Sequence, residues 1–169
     1  ALTNSINQGS KWAGDYINRG IIFYRLHNYR SALADYDKAV SLAPRDAQCY
    51  YNRGVLRQEL GDYNRALEDF NQVVELDPEQ VEVHYQRGLV LLHLNQWKDA
   101  LADFTLLIDR YPYFLPSYYL AAQAETALGH GKAAYQYRTR AYDLEQKKDS
   151  IQAQSVSTDL QLAQSQPQK

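Results

Sequence analysis

The feature that most constrains this chain is a near-repetition at a spacing of thirty-four residues. Tyr50-Tyr51-Asn52-Arg53-Gly54 has one near copy at Tyr16-Ile17-Asn18-Arg19-Gly20 and another at His84-Tyr85-Gln86-Arg87-Gly88. A fixed period of this size marks stacked units, each too small to bury an apolar face alone. Gly20, Gly54, Gly88 and Ala122 are equivalent, as are Leu26, Leu60, Leu94 and Leu128. Tyr29, Tyr63 and Trp97 follow, with Gly131 in the fourth copy. Ala32, Ala66, Ala100 and Ala134 come next, then Tyr36, Phe70 and Phe104, with Arg138 fourth. Pro44, Pro78 and Pro112 close three copies, and Gln146 stands at the fourth closing position.

Each copy reads as two helices. Tyr16, Gly20 and Phe23 recur at steps of four and three, one face of a helix. Leu26-His27-Asn28, Leu60-Gly61-Asp62 and Leu128-Gly129 supply stop signals, since Gly or Asn after the last apolar residue favours a left-handed C-cap. Tyr29, Ala32, Leu33, Tyr36, Ala39 and Val40 form a second stripe of helical period. The proline ends it by lacking an N–H and by disfavouring helix in the residue before it. The small residues at 20 and 32 mark a close helix approach, so Ala66→Leu is expected to overpack the pair by about 1–3 kcal/mol.

Together these residues resemble the tetratricopeptide repeat, in the Asn-Arg-Gly form of multi-repeat bacterial proteins. The resemblance covers residues 13–148, as repeats 13–46, 47–80, 81–114 and a degenerate 115–148. It implies an all-α solenoid of antiparallel helix pairs in a right-handed superhelix. The first helices would line a concave groove that binds protein segments. Residues 1–12 read as a polar N-terminal segment, with Trp12 as a lid over the first helix. The fourth copy carries Glu125 and Arg138 at formerly apolar or aromatic positions, the polar outer face of a terminal cap. Its second helix, from about Gly131 to Lys148, is expected to be long and half exposed. Residues 149–169, rich in Gln and Ser, read as a fading helix or a loosely docked tail, with a short amphipathic helix around Thr158–Gln164.

Composition closes off several classes. Net charge is −2 with acids and bases interspersed, so no clustered basic face points to nucleic acid or to an anionic membrane surface. No run of about eighteen apolar residues exists to span a membrane. One cysteine, Cys49, allows no disulfide within the chain and leaves the redox compartment open. The chain lacks Met and a signal-peptide pattern, and reads as a fragment of something longer; localisation stays undetermined, cytoplasmic or periplasmic. No Gly-rich phosphate loop, nucleophile elbow or zinc motif is present, so neither an enzyme nor a cofactor or metal site is expected. His84 and His93 fall on opposite faces of one helix, and His27 and His130 fall in turns.

Two constellations remain. Arg19, Arg53 and Arg87 each precede an aspartate by sixteen residues, at Asp35, Asp69 and Asp103, and the fourth copy loses both partners together as Ala121 and Tyr137. We read these as ion pairs between the two helices of a repeat. The second is the groove. Ile17, Tyr51, Tyr85 and Tyr119 share one register position, Ile21, Val55, Leu89 and Gln123 lie one turn on, and Tyr24, Gln58, Leu92 and Thr126 a further turn on. The expected partner-binding set is Ile17, Ile21, Tyr24, Tyr51, Asn52, Val55, Gln58, Tyr85, Leu89 and Tyr119. Rigid tyrosines give contact area at low entropic cost. The resemblance argues against the acidic chaperone C-termini that some family members clamp, because Ile17, Ile21, Asn52, Glu82 and Gln86 stand at the clamp positions and only Asn52 matches. The functional reading is a scaffold that binds a protein or peptide in the groove. The alternatives are a self-assembly module, homo-oligomeric through the solenoid ends or the groove, and a regulatory domain of a larger protein.

Overall fold

The computed structural model describes residues 10–164, with side chains described as far as Lys147. Its elements are eight helices: α1 (Ala13–Arg25), α2 (Tyr29–Leu42), α3 (Ala47–Glu59), α4 (Tyr63–Leu76), α5 (Val81–His93), α6 (Trp97–Arg110), α7 (Leu115–Ala127) and α8 (Gly131–Gln164). There is no strand among the described residues, so the expected all-α class holds. The chain divides into two compact units, one ending at Asp103 and the other starting at Phe104, a division inside α6.

In the first unit α1 packs on α2 and α3 on α4, while α2 also packs on α3 and α4 on α5. The small residues explain how the pairs close. A Cβ on Gly20 would lie 2.5 Å from Tyr36 Cε1, and one on Gly54 would lie 2.8 Å from Phe70 Cε1. Each glycine is therefore the floor on which an aromatic ring of the paired helix rests. Ala32, Ala66 and Ala100 are fully buried. The joints between repeats are equally dry. Leu56 of α3 is fully buried among Ala32, Tyr36 and Leu33 of α2, worth about 1.5–3 kcal/mol for such a side chain. Val83 and Val90 of α5 share a cluster with Phe70, Val73, Leu67 and Val74 of α4.

Helix ends repeat with the same period. His27, Gly61 and Asn95 all take left-handed φ, at 56°, 78° and 59°. After each, the next N–H reaches back five residues: Asn28 N to Phe23 O, Asp62 N to Arg57 O and Gln96 N to Leu91 O, at 2.8–2.9 Å. This double turn satisfies carbonyls that a helix end otherwise leaves bare. The following helices are capped by Asn28, whose side chain accepts from Ser31 N, and by Asp62, which accepts from Arg65 N. Trp12 departs from expectation. It sits at the N-cap of α1 and is 77% exposed, so it covers nothing. The first turn is tied instead by the Ser10 hydroxyl, which accepts from Trp12 N and donates to Asp15.

In the second unit α7 packs on α8. Tyr118, Ala141 and Leu144 form its core with Ile108, Leu115 and Tyr137. The Tyr118 hydroxyl donates to Pro112 O at 2.9 Å, repeating the Tyr50 bond to Pro44 O in the first unit. Gly129 takes the left-handed position, at φ 81°. Glu125 corrects an expectation. It is buried, not part of a polar outer face, and its carboxylate is met by His130 Nδ1 at 2.7 Å. Arg138 is exposed and donates to the Thr126 hydroxyl. The last helix is long, as expected, and its backbone runs to Gln164. Docking of a 149–169 tail concerns side chains outside the described residues.

Candidate functional site

The sixteen-residue pairing is present in all three copies. Arg19 Nε and Nη2 grip Asp35 at 2.7 and 2.6 Å, Arg53 Nη2 meets Asp69 at 2.7 Å, and Arg87 Nη2 meets Asp103 at 2.7 Å. The aspartates are almost wholly buried and the arginines only slightly exposed. Two further contacts were missed in reading the sequence. Arg53 Nη1 also reaches back to Asp37 at 2.9 Å, and Arg87 Nη1 to Asn71 at 3.1 Å. Each arginine thus joins its own repeat to the second helix of the repeat before. The period itself carried that signal, because 53 − 37 and 87 − 71 both equal sixteen. Arg57 adds a second guanidinium to Asp69 at 2.8 Å, and His84 Nδ1 donates to Asp103 at 2.8 Å. The His84 ring is buried, and its Nε2 has no partner among the described residues. These groups are consumed by structure and are not a ligand row.

The groove face of α1, α3 and α5 is different. A cavity of about 320 Å³ is lined by Ile21, Tyr24 and Arg25 of α1, Tyr36 of α2, Tyr51, Asn52 and Val55 of α3, and Gln86 of α5. A second, of about 330 Å³, is lined by Val55, Gln58, Glu59, Tyr63, Gln86 and His93. Val55 and Gln86 line both, so the two cavities adjoin, and together they make up a trough along α1, α3 and α5. Six expected residues, Ile21, Tyr24, Tyr51, Asn52, Val55 and Gln58, line it. Tyr85 and Leu89 are half-buried on α5 and lie outside both cavity linings. Tyr119 belongs to the second unit and is exposed, and the Glu145 carboxylate raises its phenol above the ordinary value.

Ile17 corrects an expectation. It is buried, and packs with Tyr16, Ala39 and Cys49. The register position that carries tyrosine in the other repeats is core when filled by isoleucine, since a branched aliphatic has no polar end to keep wet. Leu92 is likewise buried, unlike the half-exposed Tyr24 and Gln58 at its register.

The trough carries two charged side chains, Arg25 and Glu59, and Glu59 is fixed by hydrogen bonds. Glu59 accepts from both the Tyr24 and Tyr29 hydroxyls, the latter at 2.8 Å. Those bonds hold its carboxyl below the usual range, and they push the Tyr24 phenol up to about 12. Burial pushes Tyr36 to about 12 and raises Tyr51. The phenols of Tyr24, Tyr36 and Tyr51 therefore stay protonated at physiological pH. One repeat along, His93 stands where Glu59 stands, and it stacks on Tyr63 with ring centroids 4.4 Å apart. Arg25 lies on the rim, and Gln58 Oε1 is buried without a partner. Apolar walls with a few oriented donors and acceptors suit binding of a chain segment. Among the described residues no three His, Cys, Asp or Glu side chains group as metal ligands, and no helix is long and apolar enough to cross a membrane.

Two family models described as "Tetratricopeptide repeat" match the chain, over residues 20–85 and 82–112. No curated protein matches it. Among solved structures, a crystal structure of MamA superposes with TM-score 0.82 at 19% identity, covering 89% of this chain and 88% of that one. MamA 41-end from Desulfovibrio magneticus RS-1 gives 0.76 at 25%, covering 95% and 99%. A MamA RS-1 double mutant gives 0.75 at 27%, covering 80% and 76%.

Proposed function

The chain belongs to the tetratricopeptide repeat family, a family of protein-interaction scaffolds, and from that premise we propose that the trough across α1, α3 and α5 is where it holds a partner. The observation that carries this is that the two cavities adjoin, sharing Val55 and Gln86 in their walls. Open space along three helices, mostly apolar in the first cavity and mixed in the second, matches an extended segment better than a compact small molecule. Ile21, Tyr51 and Val55 supply apolar contact, and Gln58 Oε1 offers an acceptor to a ligand N–H. Tyr85, Leu89 and Tyr119 extend the proposed surface beyond the cavities. The proposed action is binding by shape and apolar contact, with no chemical step.

Peptides selected against the immobilised chain from a random library provide the test. Val55→Glu places a charge in both cavities and is expected to weaken the selected peptides at least tenfold, about 1.4 kcal/mol. Tyr113→Ala, at an 81% exposed residue between α6 and α7, is the control and is expected to leave affinity unchanged. Unaltered affinity for Val55→Glu, with the helical signal intact, removes the trough as the site.

A further inference from the structure

Ile22, Leu56, Val90 and Ala124 share one register position. The last three are completely buried, whereas Ile22 is 49% exposed. Leu56 is covered by α2 of the repeat before it, through Ala32, Leu33 and Tyr36. Ile22 has no such cover among the described residues. The arginines tell the same story. Arg53 and Arg87 each spend Nη1 on a residue of the preceding second helix, Asp37 and Asn71. Arg19 spends Nε and Nη2 on Asp35, and its Nη1 has no partner among the described residues. The first repeat therefore carries, unused, both groups that elsewhere grip a preceding helix.

The opposite half of that joint lies on α8. Tyr135, Thr139 and Tyr142 occupy the positions of Leu33, Asp37 and Val40 on α2, and of Leu67, Asn71 and Val74 on α4. On those helices the apolar pair is covered by the next repeat. Leu33 packs with Leu56 and Val40 with Cys49, while Leu67 and Val74 join the cluster of Val83 and Val90. Asp37 and Asn71 accept from the next repeat's arginine. Tyr135 and Tyr142 are 70% and 59% exposed.

We propose that a second copy of this chain docks head to tail, seating the Ile22 face of one molecule on the Tyr135–Thr139–Tyr142 face of another. Arg19 Nη1 of the first donates to the Thr139 hydroxyl of the second, as Arg53 donates to Asp37. A second copy is the occupant because one molecule presents both halves of a joint that it already makes internally, twice. The surface is distinct from the trough and does not depend on it. Such an interface is heterologous, so it either propagates or closes into a ring.

Sedimentation velocity across a wide concentration range tests it. The wild-type mass is expected to rise with concentration. Ile22→Glu and Tyr142→Glu are each expected to lose that rise, with helical circular dichroism retained because both side chains are exposed. An equimolar mixture of the two variants is expected to regain a two-chain species and nothing larger, since each contributes one intact end. A wild-type chain that stays monomeric throughout overturns the proposal. So does a Tyr142→Glu chain that still associates alone, or a mixture that stays monomeric.

Discussion

Gly54 owes its place to a ring. Its absent Cβ would meet Phe70 Cε1 and Cδ1 at 2.8 and 3.0 Å and Asp69 Cβ at 3.2 Å, with buried neighbours that have nowhere to go. Gly54→Ala is therefore expected to destabilise by about 1–3 kcal/mol, read as a lower urea midpoint. Asp69 shows a different economy. Burial pushes its carboxyl up, and the guanidinium groups of Arg53 and Arg57 pull it back. Its folded value lies above its unfolded one, so its contribution favours folding at low pH and declines as pH rises through that interval. The ion pair is thus no large net source of stability. Removing one side is another matter, because it leaves the slightly exposed guanidinium groups of Arg53 and Arg57 only the exposed Asp37 as an acidic partner. Asp69→Ala is expected to cost about 3–5 kcal/mol, and replacing Arg53, Arg57 and Asp69 together by apolar residues should cost less. Cys49 is fully buried, and desolvation pushes its thiol up to about 11. Ellman's reagent should react with it in urea and not in the native protein; rapid native labelling would contradict its burial. The Arg–Asp pairs were legible because spacing reports two helices facing each other. His84 and Arg57 were not, since each joins the network in one repeat only and leaves no period to detect.

At the scale of elements, the ends of helices were read more securely than their faces. The left-handed position recurs at His27, Gly61, Asn95 and Gly129, and three of the four carry the Gly or Asn that marks it in sequence. Gly61→Ala forces a Cβ into φ 78° and is expected to cost about 1 kcal/mol. Gly14, inside α1 with open space around its missing Cβ, predicts the opposite sign: Gly14→Ala should stabilise by about 0.5–1 kcal/mol. Thermal melts of the two variants separate the cases, and equal shifts would discredit the backbone argument. Glu59 joins three helix ends, since Tyr24 closes α1, Tyr29 opens α2 and Glu59 itself ends α3. Its folded carboxyl sits below its unfolded value, so its contribution is present above the ordinary carboxylate range and is lost as pH falls through the folded value. Glu59→Gln should flatten the acid limb of a stability–pH curve. Faces were harder to read. Ile17 was expected in the groove because its register is shared with Tyr51, yet the identity of the side chain decided which way it settled. Glu125 was expected outward because it is charged, yet His130 lies five residues on and makes burial tolerable.

For the molecule as a whole, the period made the helix count, the pairing and the joints legible, because each is a property of one unit repeated. What the period does not encode is how the repeats differ in their surroundings. Within the first unit α3 and α4 have neighbours on both sides, and α1 has them on one. In a linear array stability is a sum of unit and joint terms. Hydrogen exchange should therefore be slowest in α3 and α4 and faster in α1; equal protection would show the unit opening only as one block. The backward reach of Arg53 and Arg87 has a consequence for how such a chain grows. A duplicated stretch of thirty-four residues arrives with its own arginine, its own aspartate and its own acceptor for the arginine that follows. Inserting it between existing copies leaves every old partnership matched to a new one. Lengthening by tandem duplication is thus chemically neutral at each joint, and it stops being so where Ala121 stands in the arginine's place.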